Sequence, residues 1–283
     1  MHRYFHVDVF SKVPFSGNGC TVFLDQEHRD RAVLQNLTIE MRQFESTFLG
    51  PPDGNRIKAR IFTMQEELSF AGHPILAAAA VASKVYGPRD TWVFELSEKN
   101  VEVSVQEEGN YCLAVMDQGK VDFGATFTPS EIKAILEMVS IDAGLVDLDL
   151  PIQVVSTGLP YLIVPVGGGL ETVKYHRDIS EDLKAIGAHF LYVFDTEKIE
   201  GRSFDNDGLS EDIATGSAAG PTAGWLYKHG SKNKSASINQ GSFLGRPSVM
   251  ETEIYLPSDD SICVKVAAPV CFVAEGQVYK EII

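Results

Sequence analysis

Glu211-Asp-Ile-Ala-Thr-Gly-Ser-Ala-Ala-Gly-Pro221 gathers acid, hydroxyl, glycine and small residues at the head of a helix, and Glu67-Leu-Ser-Phe-Ala-Gly-His-Pro-Ile-Leu-Ala-Ala-Ala79 repeats its frame. Glu67 stands five positions before Gly72 as Glu211 stands five before Gly216, and both glycines open alanine-rich runs. A glycine at a helix start lets backbone N–H groups approach a ligand closely. The unpaired amides and the helix dipole then favour an anionic group. Two such starts imply one site built twice.

Other features recur at nearly the same distance. Ser16-Gly17 precedes the apolar run Cys20-Thr-Val-Phe-Leu24, and Thr157-Gly158 precedes Tyr161-Leu-Ile-Val164, the two glycines lying 141 residues apart; Gly72 and Gly216 lie 144 apart. Ordered pairs at one offset argue for a duplicated unit of about half the chain. Gln118-Gly-Lys120 and Gly124 interrupt the pattern, so the expected halves are 1–122 and 123–283, with the last strand able to pack back on the first half.

Alternation and turn signals predict strands over 6–10, 20–24, 44–49, 57–64, 92–96, 101–105 and 111–116, with a hairpin at Glu107-Glu-Gly-Asn110 and helices over 30–42 and 71–84. In the second half, Thr128-Pro-Ser-Glu131 supplies an N-cap, a proline at the first helical position and a capping-box glutamate, predicting a helix from there to Met138. Strands follow over 152–166 around Gly158, at 191–194, 253–256 and 262–266, with helices from Ser180 and Ser217. Antiparallel connections dominate.

The 283 residues are 44% hydrophobic and 22% charged, as in soluble globular proteins, and a formal net charge of −15 argues against nucleic acid or an anionic membrane as partner. No signal-like or membrane-spanning apolar run is present, and Cys20, Cys112, Cys263 and Cys271 are scattered without zinc-ligand or CxxC spacing. The expected location is cytoplasmic.

Glu45 lies between Phe44 and Phe48-Leu49. A carboxyl among apolar side chains is suited to exchange protons near neutral pH, unless it is simply a surface residue at a helix-to-strand corner. His73, between Gly72 and Pro74, is placed either to meet a substrate carboxylate or to cap its helix. Asp212 and Ser217 flank Thr215-Gly216 and offer an acceptor for an amine or hydroxyl and a donor for a carboxylate, or else ordinary capping. Asn18, within Gly17-Asn-Gly19, either orients a ligand or completes a turn. Gln240-Gly241 and Gly245-Arg-Pro-Ser248 form a loop whose arginine suits an anion or solvent. Gly167-Gly-Gly169 reads as a turn, and His2, His6, His28, His176, His189 and His229 have no metal-site spacing.

Taken in order, Val9-Phe10, Phe15-Ser-Gly-Asn18, Glu45-Ser-Thr-Phe48, Arg60-Ile-Phe-Thr63, Glu67 with Phe70-Ala-Gly-His-Pro74, Ser156-Thr-Gly158, Glu211-Asp212, Thr215-Gly-Ser-Ala218 and Gln240-Gly241 with Gly245-Arg-Pro-Ser248 resemble the PhzF-like phenazine biosynthesis family over essentially the whole chain. The resemblance implies the α+β fold of diaminopimelate epimerase: two pseudo-symmetric halves, each a mixed, mostly antiparallel sheet around a central helix, with the active site in the cleft between them. It implies a homodimer and a cofactor-independent, metal-free isomerase. In such an enzyme the residue matching Glu45 moves a proton on a dihydro-hydroxyanthranilate skeleton, while those matching His73, Asp212 and Ser217, with amides following Gly72 and Gly216, hold the substrate.

Related epimerases and racemases use a thiol at each helix start, where this chain has Ala71 and Thr215. A two-cysteine racemase is therefore disfavoured. The expected ligand is a small anionic metabolite, a cyclic amino or hydroxy acid; a metabolite-binding protein without turnover is the alternative. Two departures stand out: Gly19-Cys20, where the family commonly has proline and a small apolar residue, and Ala267-Ala268, where many members carry glycines.

Overall fold

The computed structural model describes residues 2–25, 29–258 and 261–279. His28 lies outside them. Two compact units are present, Met1–Asp117 with Ala267–Ile283, and Gln118–Val266.

In the first unit β1 (His2–Val9) pairs antiparallel with β2 (Asn18–Leu24). Helix α1 (Arg31–Met41) returns the chain, so β3 (Glu45–Leu49) lies parallel to β2, and β4 (Arg56–Thr63) turns back antiparallel to β3. A two-residue strand, β5 (Glu67–Leu68), rests on β4. Helix α2 (Gly72–Tyr86) then carries the chain over to β6 (Thr91–Glu95), parallel to β4, and the antiparallel β7 (Asn100–Glu108) and β8 (Tyr111–Lys120) follow. Gly109, at φ +60°, makes the tight turn of that hairpin.

Every residue of α2 from Pro74 to Ser83 is buried, and β1, β2, β3, β6 and β7 all pack on it. A helix apolar on all sides belongs in a core, and its alanines keep the bulk small enough for strands to close in. Beneath α1, Phe23 stacks on Phe48 at 4.8 Å and Phe62 meets Phe48 edge-on at 5.5 Å, with Leu34 completing the cluster. Such ring pairs add roughly 0.5–1.5 kcal/mol beyond their buried area.

The second unit opens with β9 (Asp122–Phe127) and α3 (Lys133–Met138). It continues through β10 (Ile152–Ser156), β11 (Pro160–Val166), α4 (Ser180–Ala185), β12 (Phe190–Asp195), β13 (Glu200–Arg202), α5 (Gly216–His229), β14 (Ser235–Gln240) and β15 (Ser248–Ser258). From β10 the pairings run antiparallel, parallel, antiparallel, parallel and antiparallel, with a helix before each parallel step. That is the pairing order from β1 to β7. Here α5 is the central helix, packed against β10, β11, β14 and β15.

Three expectations change. Thr128 and Glu131 do form a capping box, with Glu131 Oε2 2.7 Å from the Thr128 N–H it accepts, but they cap only a turn and α3 starts at Lys133. Gly124 does not interrupt the chain; it lies inside β9, where a side chain would crowd the Val154 carbonyl. The final strand, β16 (Ser261–Val278), continues far beyond 266. Its residues from Val270 pair antiparallel with β1, and the Pro269 carbonyl accepts the Ser11 N–H at 3.1 Å. Ala267-Ala268-Pro269 carries little strand signal, so local sequence understates a strand that tertiary pairing holds.

Candidate active site

Both helix heads are located by the same device. In the first unit Arg60 on β4 donates from Nε and Nη2 to the two carboxylate oxygens of Glu67 at 2.6 and 2.9 Å, and its Nη1 donates to the Arg29 carbonyl. In the second, Arg202 on β13 grips Glu211 at 2.7 Å through both bonds, and Nη1 donates to the Leu170 carbonyl at 2.6 Å. A planar guanidinium on a carboxylate fixes direction as well as distance. Each glutamate stands five residues before the glycine that opens its helix, so the strand sets where the helix begins.

At the head of α2 the N-cap position is Ala71, which contributes no side-chain cap, and no acidic residue occupies the first turn. A helix start of this kind favours an anionic group. His73 Nε2 lies 3.2 Å from Glu45 Oε2, with the side chains 10% and 19% exposed. Glu45 begins β3, and its register partner on β2 is Cys20. Phe44, by contrast, is exposed, so the enclosure of Glu45 comes from His73 and its own strand rather than from its sequence neighbour. Burial, reinforced by the Glu45 carboxylate, pushes the Cys20 thiol up, keeping it neutral and unreactive. Asn18, two residues before Cys20, is fully buried. An added Cβ on Gly19 would come 2.6 Å from Gln43 Oε1, so the glycine at this departure from the family pattern makes room for Gln43.

The head of α5 is more enclosed. Thr215 is its N-cap residue but makes no side-chain cap; its hydroxyl donates instead to Asp212 Oδ2 at 2.7 Å. Gln240, at the end of β14, donates from Nε2 to the Asp212 carbonyl at 2.8 Å and to Thr215 Oγ1 at 2.9 Å, while its Oε1 accepts the Thr215 N–H at 3.2 Å and the Tyr192 hydroxyl at 3.1 Å. Gly201 leaves space for the Tyr192 ring, and Gly241, at φ +85°, lets the chain pass the Ile213 and Arg246 carbonyls where a Cβ would clash. Ser217 Oγ lies 2.6 Å from the Tyr161 hydroxyl. Burial pushes both phenols up, with Asp212 adding to the effect, so both stay protonated. Behind the helix, Gln118 Nε2 donates to the Gly216 carbonyl at 2.9 Å.

The family model described as Phenazine biosynthesis-like protein matches residues 7–276. The chain belongs to this family. It is 32% identical over 267 residues to trans-2,3-dihydro-3-hydroxyanthranilate isomerase of Pseudomonas fluorescens, with 88% of this chain and 89% of that one covered. Among solved structures, one described as a predicted epimerase from Pseudomonas aeruginosa is 40% identical with a TM-score of 0.88, covering 99% of this chain and all of its own. A PhzF-family phenazine biosynthesis protein from Bacillus anthracis has the same fold, with a TM-score of 0.84 at 20% identity and 99% of both chains covered. Like its named relatives in the phenazine biosynthesis-like family, this protein is an isomerase.

Of the residues singled out in this family member's sequence, Glu45 and His73 come together at one helix head, and Asp212, Thr215 and Gln240 at the other. Arg246 packs its backbone against Gly241, its N–H donating to the Gly241 carbonyl at 3.0 Å. Sequence reasoning missed Tyr161, Tyr192 and Gln118. Each is isolated in sequence from the head it supports, and only the strand pairings bring it there. The described residues contain no cluster of three or more His, Cys, Asp or Glu able to hold a metal ion, and no helix long and apolar enough to cross a membrane.

Proposed function

We propose that this isomerase shifts a proton on a small cyclic amino or hydroxy carboxylic acid, with Glu45 as the acid/base. Glu45 takes a proton from one carbon and returns it to another as the double bond migrates, so substrate and product have the same composition and no co-reactant is consumed. His73, beside Glu45, helps to hold the substrate. Ser217 and the N–H groups after Gly72 and Gly216 receive the substrate's carboxylate and other polar groups, and Asp212 accepts from its amine or hydroxyl. Asn18, buried near the start of β2, supports the strand end that carries this chemistry.

The observation that carries this reading is the Glu45–His73 pair, 3.2 Å apart at a helix head whose N-cap residue, Ala71, has no capping side chain and whose first turn holds no acidic residue. Its test is turnover of trans-2,3-dihydro-3-hydroxyanthranilate, the substrate in the name of the Pseudomonas relative, in deuterated water. Wild type is expected to form isomerised product, carrying solvent deuterium in the turnovers where Glu45 exchanges its proton with solvent before returning it. Glu45→Gln should lose roughly 10²–10⁴-fold in rate, the usual contribution of a positioned acid/base. Equal rates in the two proteins would remove Glu45 from the mechanism.

The predicted epimerase among the solved structures favours a second reading, inversion at a single carbon. Ala71 and Thr215 provide no thiol pair for it, and the Thr215 hydroxyl is already committed to Asp212. Deuterium exchange at the α-carbon of L- and D-proline, abolished by Glu45→Gln, would establish that reading over the first.

A further inference from the structure

We propose that Gln240 is a positioning residue which, through Thr215, fixes Asp212 as a hydrogen-bond acceptor and so gives the site its preference for substrates bearing an amine. The inference rests on the reading of Asp212 as a substrate-binding group. The orientation of the Gln240 amide follows from two backbone groups of unambiguous polarity. Its Oε1 faces the Thr215 N–H, which only donates, and its Nε2 faces the Asp212 carbonyl, which only accepts. Nε2 therefore also donates to Thr215 Oγ1. A hydroxyl that receives this bond directs its single proton elsewhere, and the partner in line is Asp212 Oδ2 at 2.7 Å.

The chain thus has one direction, from Gln240 to Thr215 to Asp212. Tyr192 reinforces it by donating to Gln240 Oε1 at 3.1 Å. Gln240 and Thr215 are both buried, so an unpaired group here would carry the full penalty of desolvation. The same amide also ties the Asp212 backbone to the end of β14. Side chain and main chain of Asp212 are held together, and a carboxylate so held presents an acceptor at a fixed place, where a substrate amine can donate to it.

The test compares the binding of 3-hydroxyanthranilate with that of 3-hydroxybenzoate, which lacks only the amine, by calorimetry in wild type and four variants. Wild type should prefer the amine-bearing acid, and Asp212→Asn should abolish that preference. Gln240→Leu and Thr215→Val should each cut the preference by about tenfold, as expected for loss of a hydrogen bond to a charged group, while Thr215→Ser should retain it. A purely structural role would weaken both ligands alike and leave their ratio unchanged. If Asp212→Asn keeps the preference, or wild type binds neither acid or does not discriminate, the underlying reading of Asp212 falls and this inference with it. If Asp212→Asn loses the preference while Gln240→Leu and Thr215→Val keep it, the inference alone is overturned.

Discussion

The Arg60–Glu67 and Arg202–Glu211 clamps are the same device finished differently. Both are bidentate, and in both the guanidinium lies over the phenylalanine two residues on, Phe62 at 5.2 Å and Phe204 at 4.9 Å. In the second unit, however, a second ring, Phe243, also lies against the guanidinium at 4.6 Å, and the arginine and glutamate side chains are 8% and 9% exposed, against 37% and 26% in the first. The helix heads differ in the same sense. That of α5 is braced by Gln240, Gln118 and two tyrosines, whereas that of α2 presents His73 and Glu45. The same pairing order thus ends in two different heads: in the proposed reaction the braced one would hold the ligand, and the less enclosed one would carry the carboxylate that changes protonation state.

The largest effect that separates the two should come from removing one member of each clamp. Arg202→Met leaves Glu211 buried and uncompensated, which is expected to destabilise by about 3–5 kcal/mol. Arg60→Met removes a partly solvated pair and should lose about 1 kcal/mol or less. Urea unfolding of the two variants measures the difference. Equal losses would mean that burial does not distinguish the clamps, and adding Glu211→Leu to Arg202→Met should recover much of the larger loss.

A smaller contrast lies in the helix glycines. An added Cβ on Gly220 of α5 would stand 2.0 Å from Gln118 Oε1 and 3.0 Å from Val264 Cγ1. Gly220→Ala should therefore cost about 1–3 kcal/mol as an overpacked site, and Gln118→Ala in the same chain should relieve it. In α2 an added Cβ on Gly72 meets only Met116 Cε, at an ordinary 3.7 Å. Gly72→Ala should stay within about 0.5 kcal/mol of wild type in thermal unfolding. A large loss there would show that the first head is packed as tightly as the second.

The duplicated frame was legible in the sequence because its signals are local: a glutamate five residues before a glycine, an alanine-rich run, a turn before a strand. The two central helices and most strands followed from those signals. The arginines that hold Glu67 and Glu211 were not paired with them, since seven and nine residues separate them and only the strand geometry closes the gap. Gln240 is visible as part of a motif, yet Thr215 and Asp212, which it bonds, lie 25 and 28 residues away, so the motif alone points to the arginine of the same loop. The short β13 and the extension of β16 escaped for a related reason. Their residues form strands because a neighbouring strand supplies the hydrogen bonds, not because alternation demands it.

The far ends of the central helices offer the smallest contrast. Near the end of α2, Ser83 accepts from Trp92 Nε1 at 2.8 Å, a pair without charge near neutral pH. In α5 the corresponding region carries His229, whose Nε2 lies 2.9 Å from Gln153 Oε1. Gln153 donates its Nε2 to the Gly124 carbonyl, so its oxygen faces the histidine and Nε2 of His229 bears the proton of that bond. Partial burial, with Lys228 and Lys232 nearby, pushes the His229 pKa down from its ordinary 6.5. As pH falls below about 6.5 the unfolded chain takes up this proton before the folded one does, and stability decreases until the folded pKa has been passed. Above that range both states are neutral and the contribution is constant. The effect should be under about 1 kcal/mol, because the ring is only partly buried and solvent screens its interactions. Thermal unfolding of wild type and His229→Gln from pH 7.5 to 5 measures it: the variant should show the shallower decline, and parallel profiles would leave the ends of α2 and α5 alike in their response to acid.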